Sequence, residues 1–304
     1  MVWKVLQTFA PTRVLRHIPP VMAAFTNISA YKFAPLGDLP SLKVALRKMC
    51  FDAGMRGTIL LSPEGINLFV SAERPALDRL LNYVRTVPGL ADLAAKISES
   101  HHQPFNRMLV KIKKEIIAFG VNGIDPSRRP APRVAPRQLK EWLDQGRSVT
   151  LLDTRNTYET KLGTFRGART LDLDHFREFP AAAASLPDHL KNQTVVTFCT
   201  GGIRCEKAAP LLQSAGFAQV FQLDGGILRY FEECGGEHFE GDCFVFDKRV
   251  AVDASLRETG AALCFVCQAP LTVSEQQDPR YVMSVCCPYC YKQGDVGIAT
   301  DLHR

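Results

Sequence analysis

Two groups of side chains in this sequence have types and spacings that could do chemistry. In the first, Val195-Val196-Thr197-Phe198 predicts a short strand that delivers Cys199 to a tight loop of Thr200, Gly201, Gly202 and Ile203. Arg204, Cys205, Glu206 and Lys207 then open a helix. A cysteine at a strand's carboxyl end, followed by consecutive backbone N–H groups and a helix N-terminus, lies in an anion cradle. The cradle stabilises a thiolate, so Cys199 should titrate below the free-thiol value of about 8.5. Gly201 and Gly202 let the backbone curl without Cβ clashes, and Arg204 adds a fixed positive charge. A merely structural cysteine needs neither the glycines nor the arginine, so Cys199 is the expected nucleophile. Arg204 is expected to shape the loop or meet a substrate phosphate rather than join a core ion pair. Cys205 could resolve an oxidised Cys199, or simply serve as a small apolar residue at the helix start.

The second group is Cys264-x-x-Cys267 and Cys287-x-x-Cys290, separated by 19 residues. Each pair offers two thiolates on one turn, half of a tetrahedron, so the four predict a zinc-ribbon-like structural site holding Zn. A redox dithiol or an iron–sulfur site is the alternative, and neighbouring Cys286 competes for the fourth place. Ten cysteines in a chain of 304 residues point to metal and thiol chemistry in a reducing cytosol rather than to a disulfide scaffold.

The elements that must position these groups follow from pattern. Arg137 to Gln145 reads as a helix and Val149 to Leu152 as a buried strand carrying Asp153 and Arg155 at its carboxyl end. Ala181 to Leu190 reads as a helix, and Val220 to Leu223 as a strand ending in Asp224-Gly225-Gly226. Short apolar strands alternating with helices predict a mostly parallel sheet, whose ligands bind outside the strands' carboxyl ends. Asp153, Arg155 and Cys199 all fall there. Upstream, strands at 25–33, 56–61, 66–70 and 108–118 and helices at 42–51 and 76–84 give the order β-α-β-β-α-β of a ferredoxin-like domain. The fold expected is therefore α+β followed by α/β: a ferredoxin-like domain over 23–125, a linker over 126–136 rich in Pro and Arg, a parallel-sheet domain over 137–240 and a Cys-rich metal-binding segment over 241–304. Residues 1–22 read as an extension, a transit peptide or a misassigned start ahead of Met22, and contribute nothing to the fold argument.

Charge is divided unevenly. The net charge of +6 combines +12 in residues 1–140 with −6 in residues 141–304, so the first half is suited to a polyanion. No apolar run reaches the length of about 18 residues that a membrane span needs.

The 137–240 segment resembles a rhodanese-like domain through Asp153-x-Arg155, Glu159, Gly167-Ala168, the Cys199 loop and Asp224-Gly225-Gly226-Ile227. Four residues between Cys199 and Arg204 match the sulfurtransferase loop; related phosphatases carry five, which makes a phosphatase a minor possibility. Together with Ser62-Pro63-Glu64-Gly65-Ile66-Asn67, Phe244-Val245-Phe246-Asp247-x-Arg249 and the Cys-rich tail, the ensemble resembles the tRNA uridine(34) hydroxylase family over about residues 23 to 295. The resemblance implies a cytoplasmic oxidoreductase that forms 5-hydroxyuridine at the tRNA wobble position, with O2 as co-substrate and the anticodon loop as partner. It further implies Cys199 as the reactive residue, with Asp153 and Arg155 as a supporting pair behind the loop. No organic redox cofactor motif and no protein partner is recognised. RNA phosphates are expected to meet Arg56, Lys111, Lys113 and Lys114, with Lys111 and Lys113 on one strand face and Lys114 on the other. A rhodanese-type sulfurtransferase or persulfide carrier is the competing enzyme, and a silent RNA-binding rhodanese module the competing non-enzyme.

Overall fold

A computed structural model describes residues 25–292. The extension expected over 1–22 lies outside the described residues, as does the end of the Cys-rich segment after residue 292.

The first unit runs β1 (Phe25–Phe33), α1 (Leu39–Asp52), β2 (Arg56–Ser62), β3 (Gly65–Ala72), α2 (Arg74–Arg85), β4 (Ala95–Ser100) and β5 (Met108–Ile112). Its sheet has the order β4-β1-β3-β2-β5. Asp38 opens α1 by accepting from the Ser41 N–H, with a proline in the first turn. In α2, Leu77, Leu80, Leu81 and Val84 form one buried stripe. Both helices cover one face of the sheet, where Leu46, Leu77 and Leu80 bury completely against Ile28, Ile59 and Leu68. Period-two alternation along β1 then turns Asn27, Ser29 and Tyr31 toward the opposite, helix-free face.

The β-α-β-β-α-β order holds, but its last strand is not the one that pattern selects. Ala95–Ser100 closes the motif antiparallel to β1, whereas Met108–Ile112 adds a fifth strand parallel to β2 on the other edge. Ala-Lys-Ile-Ser-Glu-Ser carries one large apolar residue, and that residue, Ile97, is 39% exposed. An edge strand of this kind leaves no hydrophobic signature. Because β5 ends at Ile112, Lys113 and Lys114 lie beyond the strand rather than on its two faces.

Pro126 to Pro136 is not a free spacer. Ala131 is buried, and β6 (Arg133–Val134) pairs in parallel with β10 (Gln219–Leu223) as the edge of the second sheet. That sheet has the order β6-β10-β9-β7, all parallel, with β7 at Thr150–Asp153 and β9 at Thr194–Phe198. Around it lie α3 (Pro136–Asp144), α4 (Thr157–Thr160), α5 (Phe179–Ala184), α6 (Cys205–Ser214) and α7 (Gly226–Cys234). The helix expected from Ala181 to Leu190 is instead α5 followed by a 3-10 turn over Asp188–Asn192, with Pro187 breaking the continuity. Segment 241–252 also departs from expectation. β8 (Gly163–Phe165) pairs with β11 (Phe239–Gly241), and β12 (Cys243–Phe244) pairs with β13 (Ala251–Val252). These strands belong to the packed body around the cysteine loop, so only the chain beyond them forms the Cys-rich module, with its hairpin of β14 (Ala262–Leu263) and β15 (Pro270–Leu271). Among the described residues, no helix is long and apolar enough to cross a membrane.

Candidate active site

β9 is buried along almost its whole length and ends at Phe198, which fixes where Cys199 emerges. The Gly202 N–H donates to the Cys199 sulfur at 3.1 Å. Gly202 adopts φ +101° and passes so near the first domain that a Cβ would lie 2.8 Å from the Tyr31 hydroxyl. Gly226, at the start of α7, has φ +68°, and a Cβ there would meet the Cys199 carbonyl at 2.4 Å. With that space free, Ile227 and Leu228 donate their N–H groups to the carbonyls of Cys199 and Thr200 at 3.0 and 3.1 Å. The loop is therefore clamped from outside as well as wound from within.

Burial pushes the Cys199 thiol up, but a hydrogen bond from Cys205, the Arg204 charge and the N–H groups of Arg204 and Gly202 outweigh it and hold it well below its ordinary range. Cys205 is driven the other way, by burial and by the Cys199 thiolate beside it, and remains a thiol. Its sulfur is 3.6 Å from the Thr154 hydroxyl, and its side chain is fully buried.

Arg204 does not wait for a phosphate. Its guanidinium grips the Glu159 carboxylate at 2.5 and 2.7 Å, and both side chains are buried. The expectation against a core ion pair is corrected: the arginine's fork is spent on Glu159, and its field alone reaches the thiolate. Glu159 was visible only as a signature residue; a buried arginine needs a carboxylate partner, and that need is the signal that could have paired them. Asp153 and Arg155 form a second buried pair at 2.7 Å. The arginine continues to the Gly163 carbonyl at 2.6 Å, and Thr164 donates to Asp153 at 2.7 Å, so this pair staples β7 to β8 behind the loop.

The first domain's open sheet face lies over this loop, and between them is a cavity of about 620 Å³. Its walls carry Cys199, Thr200, Gly201, Ile203 and Arg204 on one side and Tyr31, Asn67, Phe69 and Lys96 on the other. Three polar ties hold the walls together. Lys207, 2% exposed, reaches Glu64 at 3.0 Å and Glu115 at 2.7 Å. Glu206 accepts from Tyr31 at 3.1 Å and from Arg133 at 2.7 Å. Lys96 donates to the Gly201 carbonyl at 2.7 Å. Glu64 of the Ser-Pro-Glu-Gly turn and Lys207 in the first turn of α6 are thus in direct contact. Phe246 and Asp247 complete the rim, and Arg249 bonds Ser98 across the domains at 2.9 Å. Sequence pattern does not mark Lys96, Tyr31 and Glu115 as site residues, because their relevance depends on which face of a distant sheet meets the loop.

Of the four cations expected to meet RNA, all are exposed. Lys113 lines the cavity. Arg56 alternates with cavity-lining Thr58 and Leu60, and Lys111 stands opposite Leu60, so both belong to the same sheet face. Lys114 follows Lys113 beyond β5, and its carbonyl accepts from Ser62 at 3.2 Å.

The sulfurs of Cys264, Cys267, Cys287 and Cys290 lie within 4.8 Å of one another. Their separations are 3.9 Å for 264–290, 3.5 Å for 267–287 and 3.7 Å for 287–290. A tetrahedral thiolate cage with metal–sulfur bonds of about 2.3 Å has edges of roughly 3.8 Å, so the four fit a metal ion of that kind. Cys286 stands apart, donating to the Arg280 carbonyl at 3.3 Å.

The fold and site together define a two-domain protein with a rhodanese-type cysteine loop roofed by an acylphosphatase-like sheet. Family models agree: residues 25–116 match the UPF0176 acylphosphatase-like domain and residues 135–233 the rhodanese-like domain. Relatives named tRNA uridine(34) hydroxylase match almost the whole chain. That of Cupriavidus necator is 50% identical over 90% of this chain and 99% of its own length. Those of Ralstonia nicotianae and Burkholderia mallei are 49% and 47% identical over 87% and 89% of this chain and 95% and 93% of their own lengths. This chain belongs to the tRNA uridine(34) hydroxylase family.

Proposed function

We propose that this protein is a cytoplasmic tRNA-modifying enzyme that hydroxylates the wobble uridine to 5-hydroxyuridine, with Cys199 as its reactive group. The observation that carries the reading is the cavity between the two domains. A small sulfur anion would need only the cradle of the loop, whereas about 620 Å³ of space walled by a second domain is within the range of sites that enclose an organic ligand. A base in an anticodon loop reaches such a site by leaving its stack. The exposed cations Arg56, Lys111, Lys113 and Lys114 supply sequence-independent phosphate contacts on the same domain, and the anticodon loop's own bases supply the choice of target.

In this account the Cys199 thiolate adds to C6 of the uracil, and the electron-rich C5 takes up O2 as a hydroperoxide. Two equivalents of a solution thiol reduce its outer oxygen to water with formation of one disulfide. Loss of the C5 proton with expulsion of Cys199 then leaves 5-hydroxyuridine. Arg204 and the loop N–H groups keep the sulfur ionised. Asp153, Arg155 and Glu159 hold the loop in shape without touching substrate. The four C-terminal cysteines hold Zn, which folds the Cys-rich module and takes no part in the reaction.

A persulfide-carrying sulfurtransferase is the second reading, favoured by the N–H bond to the Cys199 sulfur and by the four-residue loop. Nucleoside mass spectrometry of tRNA from a deletion strain separates the two. Loss of 5-hydroxyuridine, restored by the wild-type chain and not by Cys199→Ala, supports the hydroxylase. Unchanged 5-hydroxyuridine together with thiosulfate turnover by the purified protein would support the sulfurtransferase.

A further inference from the structure

Lys96, a first-domain cation, bonds the cysteine loop directly, and that single tie leaves donors of its ammonium unused. It stands on edge strand β4 opposite Ser29, on the sheet face that the cavity exposes. Its ammonium donates one N–H to the Gly201 carbonyl at 2.7 Å and lies 5.8 Å from the centre of the Tyr31 ring. It bonds a backbone carbonyl where Lys207 bonds two carboxylates, and the Glu232 carboxylate lines the same cavity. Two N–H donors are therefore left over in the cavity that also holds the Cys199 thiolate.

A half-buried ammonium bonded only to a carbonyl is costly to maintain. Burial draws its proton affinity down, and the charges of Cys199, Glu232 and Asp224 partly restore it. Gly201 alone does not account for the arrangement, since a neutral donor would satisfy a carbonyl. The remaining donors suit a ligand that becomes anionic close to the sulfur. Conjugate addition produces such a ligand. As the sulfur bonds to C6, the C5=C6 π bond opens and its electron pair is delocalised through C5 and C4 onto O4, giving an enolate.

We propose that Lys96 is a catalytic residue that donates a hydrogen bond to O4 of the target uracil and stabilises the enolate formed when Cys199 adds to C6. The first domain then supplies half of the reaction centre as well as a surface for RNA. This inference rests on the hydroxylase reading and on addition at C6, and it goes beyond both in naming the electrophile. The step needs neither oxidant nor reductant: a C–S bond forms, one π bond is lost, and the pair resides on the enolate until C5 is protonated or oxidised. Without O2 the enolate takes a deuteron from D2O at C5. Loss of the original proton and expulsion of the sulfur then return uridine with deuterium in place of hydrogen.

The test is anaerobic exchange at C5 of the wobble uridine in unmodified tRNA, followed in D2O by nucleoside mass spectrometry with the full-length chain. Wild type should exchange and Cys199→Ala should not. Lys96→Gln keeps a donor for the Gly201 carbonyl but removes the charge. It should slow exchange roughly 100-fold, the order seen when one oxyanion donor is removed, with the Kd for tRNA changed less than threefold. Lys96→Arg, which keeps the charge, should recover part of the rate and controls for folding. Exchange by Lys96→Gln at the wild-type rate would overturn the proposal, as would equal failure of the Gln and Arg variants with both folded. If wild type forms 5-hydroxyuridine in air yet shows no anaerobic exchange, addition at C6 is wrong and Lys96 loses this role while the hydroxylase reading stands. If wild type forms no 5-hydroxyuridine at all, the function itself is wrong.

Discussion

Lys207→Met should cost this protein about 3 kcal/mol of stability, because it removes the cation from a buried interdomain triad. The ammonium is 2% exposed and touches Glu64 at 2.9 Å and Glu115 at 2.7 Å, whose side chains are 25% and 26% exposed. Loss of one partner from a buried pair costs about 3–5 kcal/mol, chiefly through the charge left behind. Here both abandoned carboxylates retain some solvent, which places the cost at the lower end. Each kcal/mol lowers Tm by roughly 2–4 °C in a protein of about 150–250 residues and by no more in this longer chain, so a fall of about 6 °C is expected in calorimetry. The triple variant Lys207→Met, Glu64→Gln, Glu115→Gln removes the charges together and should recover more than half of the loss. The pH dependence has a definite sign. Burial raises Glu115, but its bonds from Lys207 and from the Phe119 and Gly120 N–H groups outweigh this and lower it. A depressed carboxylate contributes stability that is present above its unfolded pKa and lost as pH falls through the folded one. The wild-type advantage over Lys207→Met should therefore shrink below about pH 4. A Tm within 2 °C of wild type, or a triple variant no better than the single one, would refute the reasoning and reduce the triad to a surface ion pair.

Further outcomes follow from the site. With the Cys199 thiol held low, single-turnover hydroxylation should be flat from about pH 7 to 9 and fall only as acid protonates the sulfur; a rising limb centred near 8.5 would mean an ordinary thiol. Arg204→Lys keeps a charge but not the two-pronged bond to Glu159, and should lower the rate at least tenfold with tRNA affinity unchanged. Equal loss of affinity and rate would instead point to a phosphate contact. Metal analysis should find one Zn per chain, and its removal by a chelator should expose 262–290 to proteolysis while the Cys199 loop stays folded. Zn-free protein with an unaltered digestion pattern would contradict the structural role.

How far the sequence carried this picture can be judged from particular residues. The Cys199 loop was legible because its chemistry is local: strand, glycines and helix start lie within a dozen residues and need no partner to be understood. The four-cysteine set was legible for a similar reason, since two short turns supply the whole ligand shell. Strand β4 was not, because Ala95–Ser100 buries little, and the more hydrophobic Met108–Ile112 took its place in the pattern. With β4 misplaced, Lys96 had no face and no neighbour. Arg204 was misread because its partner Glu159 is 45 residues away. The Pro- and Arg-rich stretch looked solvated, yet two of its residues add a strand to the second sheet, a pairing that composition does not encode. Local chemistry was readable, while the cavity, which depends on contact between two separately folded sheets, was not.

A thiolate in the cavity between two domains is taken to activate a uracil ring so that its C5 accepts one atom of O2. Incubation of the purified chain with unmodified tRNA and a thiol reductant under 18O2, followed by nucleoside mass spectrometry, reads the origin of that atom. 5-Hydroxyuridine at the wobble position should be two mass units heavier than under 16O2, and none should form with Cys199→Ala. Label arriving only from H2 18O, or a Cys199→Ala protein that still forms the labelled nucleoside, would contradict this route.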